Sequence, residues 1–381
     1  MLKKNLSAAG VQSPIATRYA LVAAVTFACV MFAGLWQIVA SALNPSQLEF
    51  PRTWLEFREG RSTGMLEKQL DQRLPARTTL IATANSLRYM LTGGGGEQVR
   101  VGKGGWLFLA DELRFDAGGN AHLIARAKLF GGASQSLDKQ GVKLVIALVP
   151  DKARLYSAKL SGENYPDYNI SRYDDALAAL RRQNVNVIDL LAPLVVAALQ
   201  GPVYYSSDTH WNQAGARISA DAVAFGVRKL GVELEKTTFV TAATGNSTER
   251  VGDLIRLMGL SNTPPALRPP SDIEIPVVTK QTSAEAASGL FGEAGVPIAL
   301  TGTSYSLRGN FHGFLQQALS AKVLNAAKDG GGLLQATTAY LTDDAFKSSR
   351  PKVLIWEVPE RFLYTKLDDE LAWLKKIGFT P

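Results

Sequence analysis

Two stretches constrain this chain most: KLVIALVP, from Lys143 to Pro150, and KVLIWEVP, from Lys352 to Pro359. A strand with one wet face alternates polar and apolar residues. A run that stays apolar at consecutive positions is a strand buried on both faces. Three shorter runs fit the same reading: VNVIDL (185–190), PIALTG (297–302) and KVLNAA (322–327). Helical spacing occupies the segments between and after them, at 121–140, 171–184, 191–200, 213–230, 309–321 and 333–347, with a last helix from about 361. This alternation predicts an α/β fold whose parallel sheet carries helices on both faces. The pattern fades over about 235–295, where Thr-rich sequence and Pro264, Pro265, Pro269, Pro270 and Pro276 predict an irregular insertion. Ahead of the sheet, VRVGKGGWLFLADEL (99–113) predicts a hairpin that turns at Gly102–Gly105. The domain is therefore expected over 97–381, after a helical linker over 44–96 with a break at Pro75. Gly93–Gly96 lacks the strand and the Lys-Ser/Thr of a phosphate loop and reads as a connector.

The address comes from the other end. Between Arg18 and Glu49 the only ionisable side chains are Tyr19 and Cys29. The run from Tyr19 to Leu43 is about 25 residues, long enough to cross a bilayer as a helix. Lys3, Lys4 and Arg18 precede it without an acid, so residues 1–18 are expected in the cytoplasm and the rest outside. Ala40-Ser41-Ala42 offers the rival reading of a cleaved signal peptide. Cys29 is the only cysteine, so the exported part relies on an ordinary core and uses no disulfide. The net charge of +7 falls to +4 once the membrane flank is set aside. No basic block with interleaved aromatics is present, and nucleic acid is not an expected partner.

The chemistry centres on VYYSSDTHWNQA, Val203 to Ala214. In an extended chain residues two apart share a face, so Asp208 and His210 can point into one site. That is a base with its orienting carboxylate, and it needs a nucleophile. PIALTGTSYS supplies one at a strand-to-helix turn. Ser304 follows Gly302-Thr303, where the glycine allows a sharp turn, and helix-start N–H groups can bind an oxyanion. Ser306 and Thr303 are rivals for the nucleophile. His122 and His312 are rivals for the base, although a helix N-terminus at His312 disfavours a protonated imidazole. Reactive residues gather past the carboxyl ends of parallel strands. Tyr305, Gly331, Trp356, Arg361 and Lys152 lie there as candidates for binding substrate or an oxyanion. Trp356 offers a sugar-stacking face, and Trp211 either packs or faces a sugar. Core packing, a salt bridge or a plain loop is the alternative for these positions. No metal-ligand spacing appears and no cofactor is expected.

VRVGKGGWLFLADEL, VPDKARLY, YYSSDTHWNQAGA, GTSYS and LIWEVPERFL, taken together, resemble the alginate O-acetyltransferase family of the AlgJ/AlgX type, relatives of SGNH hydrolases. The resemblance spans about 97–364. It implies an SGNH-like sheet, circularly permuted because the Asp–His pair precedes the serine, with a triad of Asp208, His210 and Ser304. It also implies a multipass membrane acyltransferase that brings acetyl groups across the inner membrane, alongside other polysaccharide-modification subunits. Ser304 would carry the acetyl to a hydroxyl of an exopolysaccharide such as alginate, in the periplasm. The chain ends soon after WEVPER, so the carbohydrate-binding module of the AlgX branch is not expected, which favours an AlgJ-like member. An acetylesterase of the same polymer and a non-catalytic scaffold subunit of a secretion complex are the alternatives.

Overall fold

The computed structural model describes residues 24–29, 31–36, 77–162, 164–282 and 296–366. The chain divides into two compact units, Met1–Ala84 and Asn85–Pro381. Within the first, 24–29 and 31–36 are helical. Most of the expected membrane span over 19–43, and the linker before residue 77, lie outside the described residues. Among the described residues no helix is long and apolar enough to cross a membrane.

The second unit begins at Asn85, ahead of the expected 97, inside α1 (Arg77–Thr92). Tyr89 on this helix packs against the cluster of Val99, Leu254 and Met258, all within the second unit. The expected hairpin is present as β1 (Val99–Val101) antiparallel to β2 (Leu107–Leu109). Then come α2 (Gly119–Lys139), β3 (Lys143–Val149), α3 (Lys152–Leu155), α4 (Asp167–Ile170), α5 (Arg172–Arg182), β4 (Asn186–Asp189), α6 (Leu191–Ala198) and α7 (Gln213–Arg228). The insertion is not irregular. It holds β5 (Phe239–Ala243), β6 (Thr248–Arg250), α8 (Asp253–Leu257), β7 (Asp272–Glu274) and β8 (Val277–Gln281). These strands form two small antiparallel sheets, β5 with β8 and β6 with β7. The chain closes with β9 (Ile298–Thr301), α9 (Phe311–Leu319), β10 (Val323–Asn325), α10 (Gln335–Thr342), α11 (Asp344–Ser348) and β11 (Val353–Pro359). The helix expected over 333–347 is thus two helices. Asp343 ends the first and caps the second, accepting the Ala345 N–H at 2.7 Å. From 360 the chain makes a 3-10 turn, Glu360–Leu363, and the helix expected there lies largely outside the described residues.

The main sheet runs β10-β9-β11-β3-β4, every pair parallel. Its two faces explain the unbroken apolar runs. Leu144, Ile146 and Leu148 of β3, with Leu354, Trp356 and Val358 of β11, pack against Phe130 of α2 and Tyr173, Leu177 and Leu180 of α5. Val145, Ala147 and Val149, with Val353 and Ile355, face the other way onto Ala220 and Val223 of α7 and Phe311 and Leu315 of α9. Burying each large apolar side chain stabilises the fold by about 1.5–3 kcal/mol.

Candidate active site

The segment carrying Asp208 and His210 is not the strand expected from its sequence. It is a tight loop, closed by an isolated antiparallel bridge between Tyr204 and Trp211. Tyr205 donates its N–H to His210 O at 3.2 Å, and Asn212 donates to Val203 O at 3.0 Å. Asp208 turns the chain with its own side chain. Oδ1 accepts the His210 N–H at 3.0 Å and lies 2.5 Å from His210 Nδ1. The two residues meet through this Asx turn, not through strand alternation.

Among the side chains from elsewhere that hold the loop, four stand out. Lys152, fully buried, donates to Leu107 O (2.6 Å), Ser206 O (2.9 Å) and Asp208 O (2.9 Å). Burial pulls its ammonium down to about 8, while Glu112, Asp272, Asp208 and Asp253 favour the charged form. Asp272 of β7 accepts the N–H and hydroxyl of both Ser206 and Ser207 at 2.6–2.9 Å. Asp253, opening α8, accepts the N–H of Thr209 at 2.7 Å and its hydroxyl at 2.5 Å. Arg250 of β6 donates to Asp208 Oδ2 at 3.1 Å. Three of the four come from the insertion, which as sequence offered no functional signal. Gly252 marks the contact: a Cβ there would sit 1.9 Å from Ser207 O.

Ser304 stands just past the carboxyl end of β9. It begins a 3-10 turn, Ser304–Leu307, whereas α9 starts only at Phe311. Thr303 caps that turn, accepting the Tyr305 N–H at 3.3 Å. Glu357, buried on β11, anchors it by accepting the Thr303 N–H (2.7 Å), the Thr303 hydroxyl (3.0 Å) and the Ser306 hydroxyl (3.1 Å). Burial pushes the Glu357 carboxyl up, against the pull of the Thr303 and Ser306 bonds. Gly302 makes the approach possible at φ +146, since a Cβ there would lie 2.7 Å from Glu357 Oε2. Ser304 Oγ is left facing His210 Nε2 at 2.6 Å.

Burial alone would raise the Asp208 carboxyl, but the hydrogen bonds from His210 and the Arg250 cation together hold it well below the usual carboxylate range. Asp253 goes the other way, raised by its own burial and by the charge on Asp208. An ionised Asp208 fixes the proton of His210 on Nδ1, which leaves Nε2 to accept from Ser304.

The rival nucleophiles and bases are spent elsewhere. Thr303 and Ser306 donate to Glu357. His312 Nε2 lies 2.7 Å from Val323 O, and His122 Nδ1 lies 3.2 Å from Tyr364 O. Several expected binding residues are structural. Trp356 is fully buried, donates to Leu333 O at 3.2 Å and packs edge-on against Phe130, so it presents no face to a sugar. Strand alternation puts it on the core side. Trp211 is also buried, between Tyr305 and Phe311. Gly331 donates its N–H to Lys328 O at 3.3 Å, which removes it as an oxyanion donor. Tyr305 is buried and donates to Thr209 O at 2.7 Å, tying the serine turn to the Asp–His loop. Arg361 lies beneath Tyr305, 5.8 Å from its ring, and 3.7 Å from Asp151. Lys152 is spent on the three backbone carbonyls.

Asp208, His210 and Asp253 bring ligand-type atoms within 4.8 Å of one another. Protein donors already occupy them: Asp208 Oδ2 accepts from Arg250 and from the Asp253 N–H, and both Asp253 oxygens accept from Thr209. A cation here would have to displace an arginine.

A five-stranded parallel sheet, with a serine at one strand end and an Asp–His loop against it, defines an SGNH-hydrolase-like α/β protein. A family model described as an SGNH hydrolase-like domain, acetyltransferase AlgX, matches residues 99–360. A probable alginate O-acetylase AlgJ of Pseudomonas putida is 35% identical over 325 residues, 84% of each chain. The solved O-acetyltransferase domain of Pseudomonas putida AlgJ matches with a TM-score of 0.65 at 33% identity, over 74% of this chain and 99% of that one. Pseudomonas aeruginosa AlgX matches with a TM-score of 0.57 at 25% identity, over 73% of this chain and 66% of that one. The chain belongs to this SGNH hydrolase-like acetyltransferase family.

Proposed function

We propose that the protein is an O-acetyltransferase that passes an acetyl group through Ser304 to a hydroxyl of an exopolysaccharide, alginate or a close relative. The observation that carries this is the unbroken line Asp208–His210–Ser304, with contacts of 2.5 and 2.6 Å. Ser304 Oγ attacks the acetyl carbonyl of the donor while His210 Nε2 takes the hydroxyl proton. The tetrahedral oxyanion collapses, the donor's leaving group takes the proton from His210, and acetyl-Ser304 remains. A sugar hydroxyl then gives its proton to His210 and attacks the acetyl ester. Collapse returns the proton to Ser304 Oγ. The Ser304 N–H donates to no acceptor among the described residues, so it is free to meet the oxyanion.

The reading includes an address. The flank Lys3, Lys4 and Arg18 and the apolar run 19–43 support a single inner-membrane anchor with the catalytic unit in the periplasm. There a multipass membrane acyltransferase would supply the acetyl group. The test uses an activated acetyl ester as donor and oligomers of mannuronic acid as acceptor. Acetylated oligomer formed by the parent protein and lost in Ser304→Ala is the expected result. Release of free acetate alone, with the oligomer unmodified, would turn the reading to an acetylesterase.

A further inference from the structure

We propose that Arg250, carried by the insertion, is the positioning residue that fixes Asp208 for His210, so that the insertion completes the active site. The inference rests on the reading of Ser304, His210 and Asp208 as the catalytic line.

The Asp208 carboxylate divides its work between its two oxygens. Oδ1 serves His210, through the backbone N–H and Nδ1. Oδ2 accepts from Arg250 Nη2 at 3.1 Å and from the Asp253 N–H at 3.1 Å. Both sides must be satisfied to stop the carboxylate rotating about its Cβ–Cγ bond and offering His210 a poorer angle. Arg250 is itself held in place. Its guanidinium lies over the Tyr205 ring at 4.4 Å, and Nη1 is 3.7 Å from Glu274 Oε1. Its backbone is paired with Asp272, which clamps Ser206 and Ser207. One short strand pair therefore sets both the loop's backbone and the carboxylate's orientation. Lys152 does not substitute for it, because its ammonium meets the Asp208 carbonyl and not the carboxylate.

Arg250 also places a cation beside the His210–Asp208 pair. Asp253, Lys152, Asp272 and Glu274 are the other charged groups around the loop. A cation opposes proton uptake by the pair. Removing it makes protonation easier, so the acid limb of the pH–rate profile moves to higher pH. A purely structural contact would lower the rate and leave the limb in place.

The experiment measures acetylation of Ser304 by p-nitrophenyl acetate in the full chain across pH, for the parent, Arg250→Met and Arg250→Lys. For Arg250→Met the expected result is a rate lower by about 10- to 100-fold, an acid limb moved up by about one pH unit and an ester KM close to the parent's. Arg250→Lys keeps the charge and loses the planar fork; it is expected to lose rate while holding the parent's limb. An Arg250→Met protein with the parent's limb, or with the parent's rate, overturns the inference. Should Arg250→Met fail to fold, Arg250→Gln, which also removes the charge, takes its place: lost rate with the acid limb moved up supports the inference, and the parent's limb or the parent's rate overturns it. Failure of the parent to acquire acetyl on Ser304 would refute the catalytic line itself, and this inference with it. A parent that acetylates normally and a variant that matches it would refute Arg250 alone.

Discussion

His210 Nε2 and Ser304 Oγ lie 2.6 Å apart although 94 positions separate them in the chain. That contact needs two loops, one between α6 and α7 and one after β9, to be placed to within a few tenths of an ångström. Tyr305 gives one reason that they are. It sits next to Ser304, and its hydroxyl holds Thr209 O, next to His210. The aromatic rings of Tyr305, His210 and Trp211 pack edge-on at 4.8 and 5.0 Å, which leaves little freedom between the loops.

Asp208→Asn preserves shape and removes charge. The amide no longer holds the proton on Nδ1, so the imidazole turns its basic nitrogen away from Ser304. Acetylation of Ser304 is expected to fall by roughly 10³- to 10⁴-fold, with little change in ester KM. Single-turnover kinetics with p-nitrophenyl acetate check this, and a loss under tenfold would contradict it.

Gly302→Ala combines steric and backbone strain. Its Cβ would meet Glu357 Oε2 at 2.7 Å and Glu357 O at 2.8 Å, at φ +146. The cost is about 3 kcal/mol, and Tm should fall by roughly 5 °C for a unit of this size. Thermal unfolding checks this. Activity should fall as well, because the same turn carries Ser304.

Glu357 gives the stability a pH dependence. Its folded carboxyl is raised by burial above its ordinary value of 4.5. The folded state therefore holds an extra proton just above that pH. This contribution to stability is full below about 4.5 and is lost as pH rises through the raised value. Glu357→Gln keeps an acceptor for the Thr303 N–H and cannot ionise. Chemical denaturation across pH 4–8 should show the parent losing stability relative to Glu357→Gln as pH rises. Parallel curves would contradict this.

Most of the sheet was legible because burial on two faces leaves a sign that no loop imitates: Leu144 to Val149 are all apolar and alternate between two cores. The contact of Asp208 and Ser304 with His210 was legible because a nucleophile with its base calls for rare residue types and only three histidines compete, and the structure brings these three side chains together. Arg250, Asp253 and Asp272 were not legible. Their partners lie 42 to 66 positions away, and their work is done on backbone groups, on hydroxyls or on another carboxylate. Neither periodicity nor composition carries such contacts. Of the two readings of Trp356, a sugar-stacking face and core packing, the structure takes the second. Its position near a strand end placed it close to the chemistry, but the side of the pleat placed it in the core.

The most direct test of the catalytic line is peptide mapping by mass spectrometry after brief exposure of the full chain to p-nitrophenyl acetate. A single acetyl group on the peptide containing Ser304, absent in Ser304→Ala and much reduced in His210→Ala, is the expected result. Acetylation that persists in Ser304→Ala on Ser306, Thr303 or Lys152 would contradict it.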